Sequence, residues 1–262
     1  MIRLTNRYIT DLIHNNAFEL YGQPKWTFGK KTCNTYEVFA EVVHLPGGAE
    51  IPAQIFLELI ERDAALTLTF SEWFIKSAVI SAAELSEKSH SHVTLSVNLL
   101  PQYASQENFV DQVLALLQSV GFNPRKLQFE LSEAQDLSPK GIENLNRLHD
   151  EYGIGLYLSN FGKGYSNLNL LSEVHFDGIE LDRSFAAGIP HQEMMVRIVV
   201  AVQSLAHTLD LKVCAKGIET PEQFEYFDEL DVYKGQGYLI SKPMPMDQLL
   251  EYINMYSVHT AD

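Results

Sequence analysis

Cysteine, basic side chains and long apolar stretches are all scarce in this sequence. The two cysteines among 262 residues, Cys33 and Cys214, lie far apart and match no metal-binding spacing, so neither a disulfide framework nor a cysteine zinc site is indicated. No apolar stretch approaches the roughly 20 residues of a membrane span. The N-terminus carries too much charge for a signal peptide. We therefore expect a cytoplasmic protein that does not enter a membrane.

Acidic residues outnumber basic ones, with 34 aspartates and glutamates against 19 lysines and arginines and a formal net charge of −15. Such a chain has no cationic excess with which to displace counterions from DNA or RNA, or to bind an anionic membrane. This balance excludes nucleic acids and membranes as general partners. It is compatible with a local basic pocket for one small phosphate ligand.

The apolar pattern alternates between short strands and helices along most of the chain. An amphipathic helix is predicted within residues 1–16, and the 46% of residues that are hydrophobic suffice for a large core. Pro24 is expected to end the first strand, because proline cannot donate to a sheet. Eight strands are predicted, at residues 18–24, 36–43, 93–98, 126–131, 153–159, 176–181, 211–215 and 235–240.

Eight strands, most of them followed by a helix, favour an α/β fold that closes into an eight-stranded (β/α)8 barrel over an open doubly wound sheet. No low-complexity linker divides the chain. We expect a single domain over residues 1–262, with an N-terminal helix at 1–16, the barrel at 17–256 and a tail at 257–262.

Polar side chains recur where the predicted strands end, and in a barrel these ends converge on one mouth. Carboxylates and amides favour Mg²⁺ or Mn²⁺, and two such ions about 3.5–4 Å apart would suit phosphodiester hydrolysis. Taken singly, each of these residues is more often a loop hydrogen-bonding group. The residues are Glu37, Asn98, Glu130, Ser159, Asn160, Asp182, Lys216 and Gln236.

One strand end lacks the charge that such a site requires. The apolar strand at 153–159 leads through Ser159 and Asn160 into a loop with Gly162 and Gly164, which fit a sharp turn or a close backbone approach. A hydroxyl and an amide stand where a metal site would need carboxylates. Whether this removes the chemistry is the central question that the sequence raises.

Several short motifs follow one another in the order typical of one bacterial family. They are 18–24 (FELYGQP), 36–39 (YEVF), 96–101 (SVNLLP), 130–133 (ELSE), 160–166 (NFGKGYS), 178–182 (GIELD), 215–220 (AKGIET) and 236–238 (QGY). With these motifs the chain resembles the EAL domain family, the phosphodiesterases that open cyclic di-GMP, from Phe18 to Met255. The resemblance implies a (β/α)8 barrel in which one strand is reversed.

The resemblance also implies roles for the residues that match. Glu37, Asn98 and Glu130 would be metal ligands. The remaining matches are Gln23 and Gln236, which would lie near the metals and a guanine, Asp182 and Glu219, which match ligand-binding positions, and Glu133, which would support the loop after Asn160.

Five positions depart from the family pattern. Ser159 and Asn160 replace two aspartates that hold both metals, Glu180 replaces a lysine that steadies the attacking water or a phosphate, Lys216 replaces a glutamate, and Glu41 replaces an arginine that contacts the ligand's phosphate. Two divalent cations need several anionic oxygens to offset their dehydration. We therefore expect no catalytic residues and no metal cofactor here, with Mg²⁺ or Mn²⁺ relevant only to residual activity.

Two of these departures are reciprocal and fall on consecutive predicted strands. Lys216 carries the charge that the family has at position 180, and Glu180 carries the charge that the family has at position 216. We expect the two side chains to form a charge pair in the barrel mouth. The alternative is that each is a solvated loop charge.

An intact scaffold with a dismantled site predicts a catalytically degenerate protein that acts as a non-enzymatic signalling regulator through a protein partner whose identity the sequence does not reveal. One alternative is a receptor that binds cyclic di-GMP without hydrolysing it, although Glu41, Glu180 and the acidic total disfavour that ligand. The second alternative is a weakly active metal-dependent phosphodiesterase. The resemblance also suggests a homodimer, and control of motility, biofilm formation or virulence.

Overall fold

A closed barrel of eight strands forms the centre of the protein. The computed structural model describes residues 5–89, 93–132, 137–163 and 168–257. Its strands are β1 (Phe18–Thr27), β2 (Thr32–His44), β3 (Glu50–Pro52), β4 (Thr94–Asn98), β5 (Leu127–Ser132), β6 (Gly155–Phe161), β7 (Gly178–Leu181), β8 (Lys212–Lys216), β9 (Lys234–Gln236) and β10 (Met244–Pro245).

The helices cover the outside of this barrel. They are α1 (Asn6–His14), α2 (Gln54–Ile60), α3 (Ala64–Ser89), α4 (Pro101–Ala104), α5 (Phe109–Ser119), α6 (Pro139–Tyr152), α7 (Leu170–Glu173), α8 (Arg183–Gly188), α9 (Glu193–Thr208), α10 (Pro221–Glu229) and α11 (Met246–Ser257). Among the described residues, no helix combines the length and apolar character that crossing a membrane requires.

The order of strands around the barrel is β1-β2-β4-β5-β6-β7-β8-β9, and β9 pairs with β1 to close it. Strands β2 and β4 to β9 run parallel, whereas β1 is antiparallel to both of its barrel neighbours. The predicted (β/α)8 barrel with one reversed strand is confirmed. Strands β3 and β10 extend the sheet outside the closed ring.

Alternation along each strand separates an apolar outside from a polar inside. On β5, the ring of Phe129 lies 6.0 Å from that of Phe109 on α5, whereas the next residue, Glu130, contacts Lys25 of β1. Strands β1 and β5 are three positions apart in the ring, so that contact crosses the barrel interior. The period of two that defines a strand therefore directs apolar side chains to the helices and polar ones inward.

Capping residues fix the ends of helices α10 and α6. Helix α10 begins with a capping box, in which Thr220 accepts from the backbone of Gln223 and the Gln223 side chain accepts from the backbone of Thr220. Helix α6 begins after Ser138, whose hydroxyl accepts from the Gly141 backbone, and it ends at Gly153, which has a φ of 69°. These caps fix the lengths of the helices that connect barrel strands.

Two predicted strand ends were wrong. Pro24 lies inside β1, opposite Tyr36 of β2. On its other side β1 pairs with β10 at Tyr21 and Gly22 and with β9 at Trp26 and Thr27, so proline occupies the unpaired gap between them, where no N–H is needed.

The last barrel strand stops at Gln236 and does not continue to residue 240. The chain turns there to pack on the loop after β8, where the Leu239 N–H donates to the Ile218 carbonyl at 3.1 Å. A Cβ on Gly237 would lie 2.1 Å from the same carbonyl oxygen, so this close approach requires glycine.

Candidate functional site

The carboxyl ends of the parallel strands surround a cavity of about 450 Å³ at one end of the barrel. The reversed strand β1 also reaches it through Gln23. Most of the residues singled out at strand ends are brought together at this mouth. Its polar lining consists of Gln23, Glu37, Glu41, Asn160, Lys163, Asp182, Arg183, Lys216, Glu219 and Gln236.

The floor of the cavity leads into a group of five charged side chains, which we call the barrel charge cluster: Lys25, Glu37, Glu130, Glu180 and Lys216. The Lys216 ammonium contacts all three carboxylates, at 3.0 Å from Glu37, 2.7 Å from Glu130 and 2.7 Å from Glu180. Lys25 contacts two of them, at 2.6 Å from Glu130 and 2.5 Å from Glu180. Three carboxylates and two ammonium groups thus neutralise one another almost completely.

Lys25 is the member of this cluster that sequence reasoning missed. Its side chain is only 2% exposed, and its Nζ reaches across the barrel to β5 and β7. A signal was available, because Lys25 lies two residues after Gln23 on a strand and therefore on the same face. Burial alone would lower the pKa of Lys25, but Glu130 and Glu180 outweigh burial and raise that pKa above its ordinary value.

The two innermost carboxylates have pKa values that move in opposite directions. Burial would raise the pKa of Glu130, but Lys216 and Lys25 outweigh burial and hold it well below its usual range. Burial and the neighbouring Glu130 together raise the pKa of Glu180 to about 7, against the opposing effect of both lysines. Because the cluster has one carboxylate more than it has ammonium groups, the last proton stays with Glu180 up to near-neutral pH.

Hydroxyl and amide groups complete the bonding of the cluster. Ser96 Oγ donates to Glu130 Oε1 at 2.5 Å, and Asn98 Nδ2 donates to Glu37 Oε1 at 2.8 Å. Ser159 is buried, and its hydroxyl lies 3.4 Å from Lys216 Nζ and 3.5 Å from Glu130 Oε2. Ser159 is therefore a neutral hydrogen-bonding partner of the ion pair between Lys216 and Glu130.

Asn160 adopts the left-handed conformation, with a φ of 57°, where β6 shifts register against β7. Asparagine and aspartate tolerate this conformation better than most side chains do. The bulge keeps Asn160 at the cavity surface, half-buried, while Ser159 points to the cluster. The left-handed turn at this strand end thus forms without a carboxylate.

The other predicted ligand-binding residues differ in whether their side chains already make hydrogen bonds within the described part of the chain. Asp182 accepts from the Ser184 N–H at 3.0 Å and caps α8. Partial burial would raise the pKa of Asp182, but the hydrogen bonds from Ser184 outweigh burial and lower that pKa. Gln23 donates to the Ser241 carbonyl at 2.8 Å. Gln236 is buried at the cavity, and its Nε2 makes no hydrogen bond within the described part of the chain.

Glu41 and Glu219 are exposed on the cavity rim and carry negative charge there. Glu133, predicted to support the loop after Asn160, lies outside the described residues, as do Gly164 and the end of that loop.

A third lysine lies in the barrel interior and is not part of the cluster. Lys234 on β9 is 5% exposed and donates to Thr35 Oγ1 at 2.7 Å, with its Nζ 5.1 Å from the centre of the Tyr233 ring. Burial, with repulsion from Lys25, lowers the pKa of Lys234 to about 8. Among the described residues, three lysines lie in the barrel interior, and of these Lys25 and Lys216 contact carboxylates.

Both cysteines are free and buried. Burial, opposed only by a contact with Tyr252, raises the pKa of the Cys33 thiol to about 11. Burial also raises the pKa of the Cys214 thiol to about 12. Thiolate chemistry at neutral pH is therefore disfavoured at both positions.

Comparison with known proteins gives consistent matches over most of the chain. The family model described as EAL domain matches residues 6–243. The cyclic di-GMP phosphodiesterase RocR of Pseudomonas aeruginosa is 30% identical over 242 residues, which cover 92% of this chain and 61% of RocR. The cyclic di-GMP phosphodiesterase NbdA of the same organism is 28% identical over 251 residues, covering 95% of this chain and 32% of NbdA.

Among solved structures, the PaMucR phosphodiesterase in complex with cyclic di-GMP superposes with a TM-score of 0.82 at 27% identity, covering 93% of this chain and 98% of that one. The chain spans between about a third and three fifths of the length of RocR and NbdA. Since the family model covers most of the chain and the barrel architecture agrees with it, this chain belongs to the EAL domain family.

Proposed function

We propose that this chain is a catalytically degenerate EAL-domain protein that acts as a non-enzymatic signalling regulator by binding a protein partner. The observation that carries the proposal is the position of Lys216, whose ammonium lies within 3.0 Å of the carboxylates of Glu37, Glu130 and Glu180. Two of these, Glu37 and Glu130, are the carboxylates that the family resemblance assigns to metal binding.

The donor set at the mouth does not fit a pair of divalent cations. Glu130 is bonded on one oxygen to Lys25 and on the other to Lys216, so neither oxygen is free to coordinate a metal. Unit charges about 4 Å apart interact by roughly 4 kcal/mol at an effective dielectric near 20, and a divalent ion beside Lys216 would be repelled by about twice that.

Helix α9 offers a surface for a protein partner. Its inner side buries Val199 and Ala206, as a surface helix does. A second apolar stripe continues along residues 194, 198, 201 and 205, and Met194 and Ile198 on it are 66% and 39% exposed. A helix with apolar residues on two sides has more apolar surface than its own core contact requires. A protein partner, or a second copy of the chain in a homodimer, would cover this stripe.

The proposal is tested by measuring cyclic di-GMP hydrolysis by the purified protein in Mg²⁺ and in Mn²⁺, together with affinity capture of partners from the host. We expect no product above the no-enzyme control with either ion and specific capture of at least one protein. Metal-dependent turnover would instead establish the weakly active phosphodiesterase, in line with relatives that are named as phosphodiesterases.

A cyclic di-GMP receptor without hydrolysis is the second candidate. It is supported by the open cavity of about 450 Å³, by Lys163 and Arg183 on its rim, and by the amide nitrogen of Gln236, which makes no hydrogen bond to the described residues. The related PaMucR structure contains cyclic di-GMP. The exposed carboxylates of Glu41 and Glu219 on the same rim oppose a ligand with two phosphates.

Calorimetric titration with cyclic di-GMP, with and without Mg²⁺, separates this candidate from the leading proposal. We expect no binding heat at high micromolar ligand. Saturable binding that Gln236→Ala weakens would favour the receptor, and the same titration of Glu41→Arg would then show whether the rim charge limits affinity.

A further inference from the structure

Two histidines and an aspartate meet at the end of the barrel opposite the mouth. His149 and Asp150 lie in the last turn of α6, and His175 lies in the loop before β7. Nδ1 of His149 is 2.9 Å from Asp150 Oδ1, and Nδ1 of His175 is 3.0 Å from the same oxygen. One ligating atom from each side chain lies within 4.8 Å of the other two.

The backbone around this cluster is held in place by side chains that are not part of it. Asn146 donates to the Glu173 carbonyl at 2.8 Å and accepts from the His175 N–H at 2.9 Å, so the loop is fixed to α6 at both sides of residue 174. These hydrogen bonds fix the backbone of His175 relative to α6 and so place its side chain beside the last turn of that helix.

A second carboxylate stands behind His149. Asp177 Oδ2 accepts from the Leu156 N–H at 2.9 Å and lies 3.6 Å from His149 Nε2. Nδ1 of His149 faces Asp150 at hydrogen-bonding distance, and which of the two ring nitrogens carries the proton depends on the tautomer. In a metal-bound form, a carboxylate near the far nitrogen would accept a hydrogen bond from the Nε2 proton and leave Nδ1 for the ion.

We propose that His149, Asp150 and His175 bind a divalent transition-metal ion such as Zn²⁺, with Asp177 as the carboxylate that orients His149. Two imidazoles and one carboxylate are typical zinc ligands, whereas Mg²⁺ and Ca²⁺ prefer oxygen alone. The side chains are 29%, 50% and 55% exposed, so water can complete the coordination. This site uses no residue of the barrel mouth and is independent of the proposed function.

The test is calorimetric titration of chelator-treated protein with Zn²⁺, with Co²⁺ absorption as a second readout of the ligand field. We expect one ion per chain with micromolar affinity, weakened at least tenfold in His149→Ala and in His175→Ala. Asp177→Asn, which keeps an acceptor for the Leu156 N–H, is expected to weaken binding about tenfold.

His207→Ala is the matched control, because His207 is an exposed histidine in the last turn of another helix, α9. It is expected to bind Zn²⁺ as the wild type does. Circular dichroism of each variant checks that the fold is retained. Absence of stoichiometric binding, or binding that neither histidine substitution in the cluster weakens, overturns the proposal.

Discussion

Nζ of Lys216 lies 2.7 Å from Oε2 of Glu180, between the neighbouring strands β8 and β7. This is the charge pair expected from the reciprocal change at these two positions, and the alternative of two solvated loop charges is wrong. The pair is part of a larger group, because Lys25 enters from the reversed strand and contacts Glu180 and Glu130 from the other side. The pair at positions 180 and 216 is therefore joined by a second lysine that no motif indicated.

Lys25→Met removes one of the two ammonium groups and leaves Glu130 and Glu180 to share Lys216. Breaking a buried ion pair by removing one partner typically costs about 3–5 kcal/mol, because the other charge stays buried without compensation. We expect a loss of that size in the free energy of unfolding at pH 8, measured by urea denaturation. Lys30→Met, in the exposed turn after β1, is the control and is expected to change stability by less than about 0.5 kcal/mol. A loss below about 1 kcal/mol in Lys25→Met would contradict a structural role for the cluster.

Glu180→Gln tests where the cluster holds its extra proton. A folded-state pKa of about 7, above the ordinary glutamate value, means that the native protein binds this proton more tightly than the unfolded chain. The stabilisation from this proton is complete at pH values below the pKa of Glu180 in the unfolded chain. It is lost as the pH rises through 7, which lowers the free energy of unfolding by about 3 kcal/mol.

We therefore expect the wild type to lose about 3 kcal/mol relative to Glu180→Gln between pH 4.5 and pH 8 in urea unfolding. Glu41→Gln, on the exposed rim, is expected to run parallel to the wild type over this range. A constant difference between wild type and Glu180→Gln would show that Glu180 is ionised throughout.

Sequence reasoning reached the barrel because strand periodicity and helix caps act locally. The strand ends at Asn98, Glu130 and Lys216 converge as expected, since parallel strands of a closed barrel can only meet at one mouth: Lys216 contacts Glu130, and Asn98 and Lys216 both contact Glu37. The contact between Lys25 and Glu130 could not be read in the same way, because it joins residues 105 positions apart across the lumen. Pro24 was misjudged for a related reason, since its unpaired edge depends on where β9 and β10 dock against β1.

Lys234→Met is expected to stabilise the protein at neutral pH. Burial lowers the pKa of Lys234 to about 8, so keeping it charged below that pH costs about 3 kcal/mol, of which the hydrogen bond to Thr35 returns about 1 kcal/mol. We expect a gain of about 2 kcal/mol in urea unfolding at pH 7.

The pH dependence supplies a second check on Lys234. Because the unfolded chain binds this proton more tightly, wild-type stability rises between about pH 8 and pH 10.5, and Lys234→Met removes that rise. Lys212→Met, the exposed lysine that also approaches the Tyr233 ring, is the matched control with little expected effect. A destabilised Lys234→Met would mean that the ammonium is better solvated than its burial indicates.

The double substitution Met194→Glu and Ile198→Glu tests the exposed stripe of α9. Both side chains are accessible, so we expect stability to change by less than about 1 kcal/mol while capture of the protein partner is lost. Sedimentation equilibrium shows whether self-association is lost as well, which would identify the partner as a second copy. His207→Glu places a charge at an exposed position of the same helix on the side away from the stripe and is expected to bind as the wild type does. Unchanged capture by the double variant would exclude this face.

Restoring metal binding should require two kinds of change: the return of the family residues at positions 159, 160 and 216, and the removal of Lys25. The triple variant Ser159→Asp, Asn160→Asp and Lys216→Glu brings three carboxylates to the mouth, but Lys25 still contacts Glu130 at 2.6 Å and occupies one of its oxygens. Adding Lys25→Met removes a positive charge beside the site and leaves that oxygen with only the neutral hydrogen bond from Ser96. We expect the quadruple variant to bind Mn²⁺ at least tenfold more tightly than the triple variant in calorimetric titration, and the wild type not to bind at the mouth. Equal affinities in the triple and quadruple variants would show that Lys25 stabilises the barrel without excluding metals, and the exclusion would then rest on Lys216 and the lost aspartates alone.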